Sequence, residues 1–200
     1  MQKIYFNVQW LSKSHPAYVE NGREWRIENG VNRHETVVDP SLEKSREAEA
    51  FARAFLQESI ELSDKTILSY LKRNPRGQLI RFYKEIDAVQ LIDKDTVAIF
   101  EVKHSNRNSA FKKGHNQLTQ NAEILSALYK NVLKFLVIVE PELIEDEVDV
   151  KSRSRHDFET EDSSFVLINL PTQRVSEDKV ALIWLYPEYK SAICCLSSSD

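Results

Sequence analysis

Within residues 79–103, LIRFYKEIDAVQLIDKDTVAIFEVK, three ionisable residues stand where apolar ones are expected: Asp87, Glu101 and Lys103. The stretch reads as two adjacent strands joined by a tight polar turn at Asp93-Lys94-Asp95. If the strands form a hairpin, the two carboxylates converge, and charges so partly desolvated are costly unless paired, hydrogen-bonded or metal-bound. Such a pair is a hard oxygen site suited to Mg²⁺ or Mn²⁺, to which the main-chain carbonyl of Val102 would add a third oxygen. Lys103, two residues past Glu101, projects to the same side. There an ammonium can orient a water nucleophile and stabilise charge on a phosphate in flight. An acidic pair alone repels a nucleic-acid backbone, and a bound metal reverses that sign.

The elements that must position these groups follow from periodicity. Along the second strand Val97, Ile99, Glu101 and Lys103 share one face and Ala98, Phe100 and Val102 the other, so the strand is apolar on both sides and predicts a covered position near the middle of a sheet. Along the first, Tyr83, Glu85, Asp87, Val89 and Leu91 alternate with Phe82, Ile86, Ala88 and Ile92. Upstream, Asp39-Pro40-Ser41 opens a helix through LEKSREAEAFARAFLQESIEL, with Ala48, Phe51, Ala52, Phe55 and Leu62 as its apolar stripe. DKTILSYLKRN reads as a second helical run that stops at the turn Asn74-Pro75-Arg76-Gly77. After Lys103 a polar loop leads to a long helix over about 110–130, with Phe111, Leu118, Ala122, Leu125 and Leu128 facing inward. LKFLVIVEP is a compact strand, apolar on both faces. FVLINL and KVALIWLY are two more strands, and 1–40 reads as short strands or a hairpin broken by turns.

Asp87, an intervening hairpin and Glu101-Val102-Lys103 together resemble the active-site motif of the PD-(D/E)XK nuclease superfamily, the restriction-endonuclease-like fold, with Ile86 where the motif's Pro would stand. The likeness extends to Glu49-Ala-Phe-Ala52-Arg-Ala-Phe55-Leu56, Leu71-Lys72-Arg73-Asn74 and Glu85-Ile86-Asp87, which are similar to small bacterial members related to Holliday-junction resolvases. It covers about residues 45–140. The resemblance implies an α/β core with a central mixed sheet flanked by helices in the order αβββαβ, to which the outer segments add N- and C-terminal strands. It also implies a Mg²⁺- or Mn²⁺-dependent nuclease acting on DNA, with RNA as a further candidate, in which Asp87, Glu101 and Lys103 carry the chemistry. A glutamate of the first helix joins the metal site in such relatives. Helical geometry slightly favours Glu47, closer to the apolar stripe, whereas the family spacing to Ala52, Phe55 and Leu56 selects Glu49. Gln117, early in the helix after the motif lysine, is implied as a supporting residue; where several relatives have Tyr one turn on, this chain has Asn121.

Two hundred residues with 42% hydrophobic and 29% charged fit one compact soluble domain: a core at about 45–140, an N-terminal extension over 1–40, an acidic insertion over about 141–163 and terminal strands over 164–190. The longest apolar runs are too short to span a bilayer and the N-terminus lacks a signal-peptide core, which predicts no membrane partner and a cytoplasmic protein. Cys194 and Cys195, adjacent near the C-terminus, exclude a disulfide framework and a cysteine-based zinc site. Net charge is −4, against a broadly basic nucleic-acid binder, yet Lys72, Arg73, Arg76 and Arg81 and then Lys103, Arg107, Lys112 and Lys113 cluster about the carboxylates. Arg107, Lys112 and Lys113 are candidate phosphate contacts, although a solvated helix start explains them equally. The plain alternative for the triad is a turn-capping Asp87 and a surface Glu101–Lys103 pair worth little. The functional alternative is a nuclease-fold module without catalysis that binds nucleic acid or, through its acidic segment, a partner protein. A homodimer or larger assembly is compatible with either.

Overall fold

A computed structural model describes residues 4–21, 40–105, 107–140, 165–169, 172, 175–176 and 178–185. The strands expected over 22–39, the acidic segment over 141–163 and the residues after 185, both cysteines included, lie outside the described residues. The architecture is α/β. In chain order the elements are β1 (Tyr5–Leu11), α1 (Pro40–Gln57), β2 (Ile67–Arg73), β3 (Leu79–Glu85), β4 (Ala88–Leu91), β5 (Thr96–Lys103), α2 (Asn108–Leu125), β6 (Asn131–Val139), β7 (Phe165–Ile168) and β8 (Val180–Leu185).

Five strands form one sheet in the order β4-β5-β6-β8-β7, in which β4 and β5 are antiparallel and the remaining neighbours parallel. The two-sided apolar patterns of β5, β6 and β8 are explained by a helix on each face. On one side Val97, Ile99, Leu136, Ile138, Leu182 and Trp184 pack with Phe111, Leu118, Ile124 and Leu125 of α2. On the other Phe100, Val102, Phe135, Val137, Ile183 and Leu185 pack with Ala48, Ala52 and Leu56 of α1. A parallel β5–β6 pair needs a crossover connection, and α2 supplies it. The helix starts at Asn108 and ends at Leu125, shorter than the 110–130 span predicted, so Leu128 is 41% exposed rather than inward. Likewise α1 stops at Gln57, leaving Leu62 beyond it. Pro40 heads α1, where its missing N–H costs no helical bond.

A second sheet, β1-β2-β3, is antiparallel throughout. The run DKTILSYLKRN is therefore a strand and not a second helix. What decides is its pairing: β2 is hydrogen-bonded to β1 along one edge and to β3 along the other, with Ile67, Leu68 and Ser69 buried in succession. The turn at Asn74-Pro75-Arg76-Gly77 closes the β2–β3 hairpin. The Asn74 side-chain oxygen accepts from the N–H groups of Arg76 and Gln78, and Gly77 takes φ +82°, a conformation that suits glycine.

The chain passes directly from the three-stranded sheet to the five-stranded one at Ile86 and Asp87. The β2·β3 ladder ends with Ile67 opposite Glu85, the β4·β5 ladder begins with Ala88 opposite Phe100, and Ile86 and Asp87 form a bend between them. The bend breaks the expected alternation: Ile86 and Val89, three residues apart, pack toward α2, whereas Ala88 packs toward α1. The first strand of the 79–103 stretch is thus two short strands, and Asp87 occupies the joint. The turn after it stands as predicted, with the Thr96 carbonyl accepting from the N–H groups of Ile92 and Asp93.

Candidate functional site

The Asp87 carboxylate is held by the neighbouring strand, its Oδ2 accepting from the Val102 N–H at 2.7 Å. In an extended strand a residue's N–H and C=O lie on the same edge, so the Val102 carbonyl also faces the end of β4 where Asp87 sits. From the other side of the sheet, Arg53 of α1 donates through Nη1 to the Asp87 main-chain carbonyl at 2.6 Å. The bend is thereby tied to both β5 and α1. Glu101 is 4% exposed on the α2 face of β5, and Lys103 Nζ lies 2.5 Å from its Oε1.

Electrostatics couples these groups. Burial first, and then the Glu101 charge, push the Asp87 carboxyl up to about 6, although the Val102 N–H and Lys103 pull the other way. Glu49 is half-buried and also raised, by burial and then by the charges of Asp87 and Glu85, with Lys13 and Lys103 opposing. Glu47, in contrast, is exposed. Of the two helix glutamates, it is thus Glu49 that α1 brings within reach of the Asp87 charge. Lys84 of β3 is lowered by burial against the opposing Glu101 charge, and its Nζ donates to Gln120 Oε1 of α2 at 2.7 Å. Lys13, following β1, makes an ion pair with Glu85.

The predicted residues divide accordingly. Asp87, Glu101, Val102 and Lys103 come together at the end of β5, and Glu49 feels the charges of Asp87 and Lys103 from α1. Among the described residues no three His, Cys, Asp or Glu side chains converge closely enough to hold a metal by themselves. The expected ligand set therefore rests on the pair, with Glu49 one helix away. Gln117 has a buried Oε1 without a hydrogen-bond partner, and one turn on Asn121 is fully buried with both amide atoms unpartnered. Asn121 lies within the buried face of α2. Lys112 and Lys113 are exposed, and with Asn116, Gln117, Gln120 and Glu123 they line an open depression of about 640 Å³ along α2. Neither Asp87 nor Glu101 lines this depression, and Lys84–Gln120 links the two regions. Arg107 is the N-cap residue of α2 and makes no side-chain capping bond.

Sequence reasoning missed Arg53 and Lys84. Each carried a signal: Arg53 is four residues after Glu49 on one helix face, and Lys84 lies between Phe82 and Ile86 in an otherwise apolar alternation. No family model matches the chain, and neither a curated protein nor a solved structure matches it. Among the described residues no helix is long and apolar enough to cross a membrane.

Proposed function

We propose that this chain is a divalent-metal-dependent nuclease that hydrolyses phosphodiester bonds of DNA on a restriction-endonuclease-like core. The observation that carries the reading is the coupled carboxylate pair at the strand joint, with Asp87 raised to about 6 and Lys103 2.5 Å from Glu101. Perturbed acids beside a specific charge partner are characteristic of sites that do chemistry. The element order supports it too. From α1 the chain runs through β2, β3, β4, β5, α2 and the parallel β6, which matches αβββαβ if β3 and β4 count as one strand broken at Asp87, although β2 and β3 form a sheet of their own rather than joining the central one.

The donors fit Mg²⁺ or Mn²⁺. Mg²⁺ is commonly held by one or two carboxylates, its remaining positions filled by water and substrate phosphate, so a third carboxylate is not required. A cation between Asp87 and Glu101 would offset the burial and the Glu101 repulsion that together raise Asp87. When bound it would acidify a water and polarise the phosphoryl oxygen. Asp87 and Glu101 would hold it, joined by the Val102 carbonyl, while the Val102 N–H fixes the Asp87 carboxylate. Lys103, released from Glu101, would orient the attacking water and offset charge on the scissile phosphate. Glu49, with its raised affinity for a proton, assists from α1, and Gln117 has a spare acceptor with which to support the site.

One observation favours a second reading, a nuclease-fold module that binds without cleaving: Lys103 already satisfies Glu101. Incubation of the protein with linear, branched and single-stranded DNA and Mg²⁺ or Mn²⁺ decides between them. The nuclease reading expects metal-dependent cleavage that falls at least 100-fold in Lys103→Ala. No cleavage of any substrate, or equal cleavage by the variant, overturns it.

A further inference from the structure

The β2–β3 hairpin carries a feature that the carboxylate site does not use. Pairing of Tyr5 with Lys72, Lys72 with Ile80 and Tyr70 with Phe82 places these five side chains on one face of the β1-β2-β3 sheet. Their rings form a chain: Tyr5 meets Tyr70 edge-on at 5.5 Å, and Tyr70 stacks on Phe82 at 5.7 Å. Yet Ile80 and Phe82 are 42% and 41% exposed, an aromatic and aliphatic patch left facing solvent. Cations surround it. Lys72 Nζ lies 5.8 Å from the Tyr5 ring centroid, Arg76 sits in the hairpin turn, and Lys84 closes the inner end through Gln120. Glu123, whose charge reaches Tyr5, is the opposing carboxylate.

We propose that this face is a platform for an unpaired nucleic-acid strand leading into the carboxylate pair, an inference that rests on the nuclease reading for its substrate class. Bases within a duplex hide their faces in the stack, whereas an unpaired strand offers them to aromatic side chains and its phosphates to nearby cations. Exposed Phe82 and half-buried Tyr70 supply the stacking surface, and Lys72, Arg76 and Lys84 supply the charge. The direction is also right. Alternation along β3 runs Ile80, Phe82 and Lys84 toward the bend at Asp87, which lies no more than about 17 Å beyond Phe82, the extended length of five residue steps. A strand lying on Phe82 would thus reach the carboxylates within a few nucleotides. The local excess of cations over Glu123 favours a polyanion over an apolar protein partner.

The test measures fluorescence anisotropy of labelled oligothymidine and of a blunt duplex of equal length with the full chain in EDTA, so that binding is read without hydrolysis. The expected result is at least tenfold tighter binding of the single strand, weakened about tenfold in Phe82→Ala and retained in Phe82→Trp. Circular dichroism melts confirm that both variants fold. Binding by Phe82→Ala within twofold of wild type, preference for the duplex, or no binding at all overturns the platform. The two proposals fail separately. Metal-dependent cleavage indifferent to Phe82→Ala sinks the platform alone, whereas Phe82-dependent binding without cleavage sinks the nuclease alone.

Discussion

At the scale of single residues, the joint between β3 and β4 is an electrostatic compromise. Asp87 has one carboxylate oxygen on the Val102 N–H, but burial and Glu101 together raise its carboxyl to about 6 from an ordinary value near 4. A group whose folded value is raised this way contributes fully below its unfolded value, and the contribution is lost as pH rises through the folded one. Asp87→Asn keeps an oxygen for Val102 and removes the charge. It is therefore expected to stabilise the protein by about 3 kcal/mol at pH 8, the gain shrinking through pH 6 and vanishing near pH 4. Urea melts across that range check this, and no gain at pH 8 would contradict it. Glu101 and Lys103 make a second test. Removing Lys103 strands a buried carboxylate, so Lys103→Ala should cost about 3 kcal/mol, whereas Lys13→Ala, which breaks the exposed Lys13–Glu85 pair, should cost about 0.5 kcal/mol or less. Equal losses in urea unfolding would mean that Glu101 is better solvated than its 4% exposure implies. Glu101 and Lys103 were legible because β5 is covered on both faces, so any charge in it stands out. The bend at Asp87 was not, because it is set where two separate hairpins, β2–β3 and β4–β5, pass the chain from one sheet to the other, and nothing in the alternation of 79–91 marks that change.

At the scale of elements, β5, β6 and β8 were readable from their two-sided apolar runs, and the two helices from their stripes. The run 67–73 was misread as helical. A single strand paired along both edges, with Ile67, Leu68 and Ser69 all buried, shows too little alternation to be told from a short helix by periodicity alone. Its β-branched and aromatic members, Ile67 and Tyr70, and the hairpin turn at 74–77 were the signals that point to a strand. The seat of α2 on the sheet was also hidden, because it depends on Gly114. A Cβ there would meet the Leu136 Cδ1 at 2.5 Å, and Leu136 is fully buried. Gly114→Ala gains about 1 kcal/mol of helix propensity but forces a packed side chain to shift, which costs about 1–3 kcal/mol. The net expectation is a loss of about 1 kcal/mol, turned into a gain when the same change is made in Leu136→Ala. Thermal melts of the four proteins in that cycle measure it, and an additive result would show that the close approach is not what limits position 114.

At the scale of the whole molecule, two sheets and two helices converge on the C-terminal end of β5. The five-stranded sheet supplies Glu101 and Lys103, the three-stranded sheet supplies Lys84 and Glu85, α1 supplies Glu49 and Arg53, and Asp87 sits where the sheets join. Open α/β sheets commonly place ligands beyond the carboxyl ends of their parallel strands, and this cluster lies at such an end. The net charge of −4 conceals this local arrangement, because carboxylates and cations alternate within a few residues of one another. The central claim is that Asp87 and Glu101 form one divalent-cation site. Calorimetric titration of the full chain with Mn²⁺ at pH 7.5 tests it without any assumption about substrate. One site is expected in the wild type, absent in Asp87→Asn and weakening as pH falls through 6, where protons compete for Asp87. Absence of a site in the wild type, or an unchanged one in Asp87→Asn, would contradict the claim.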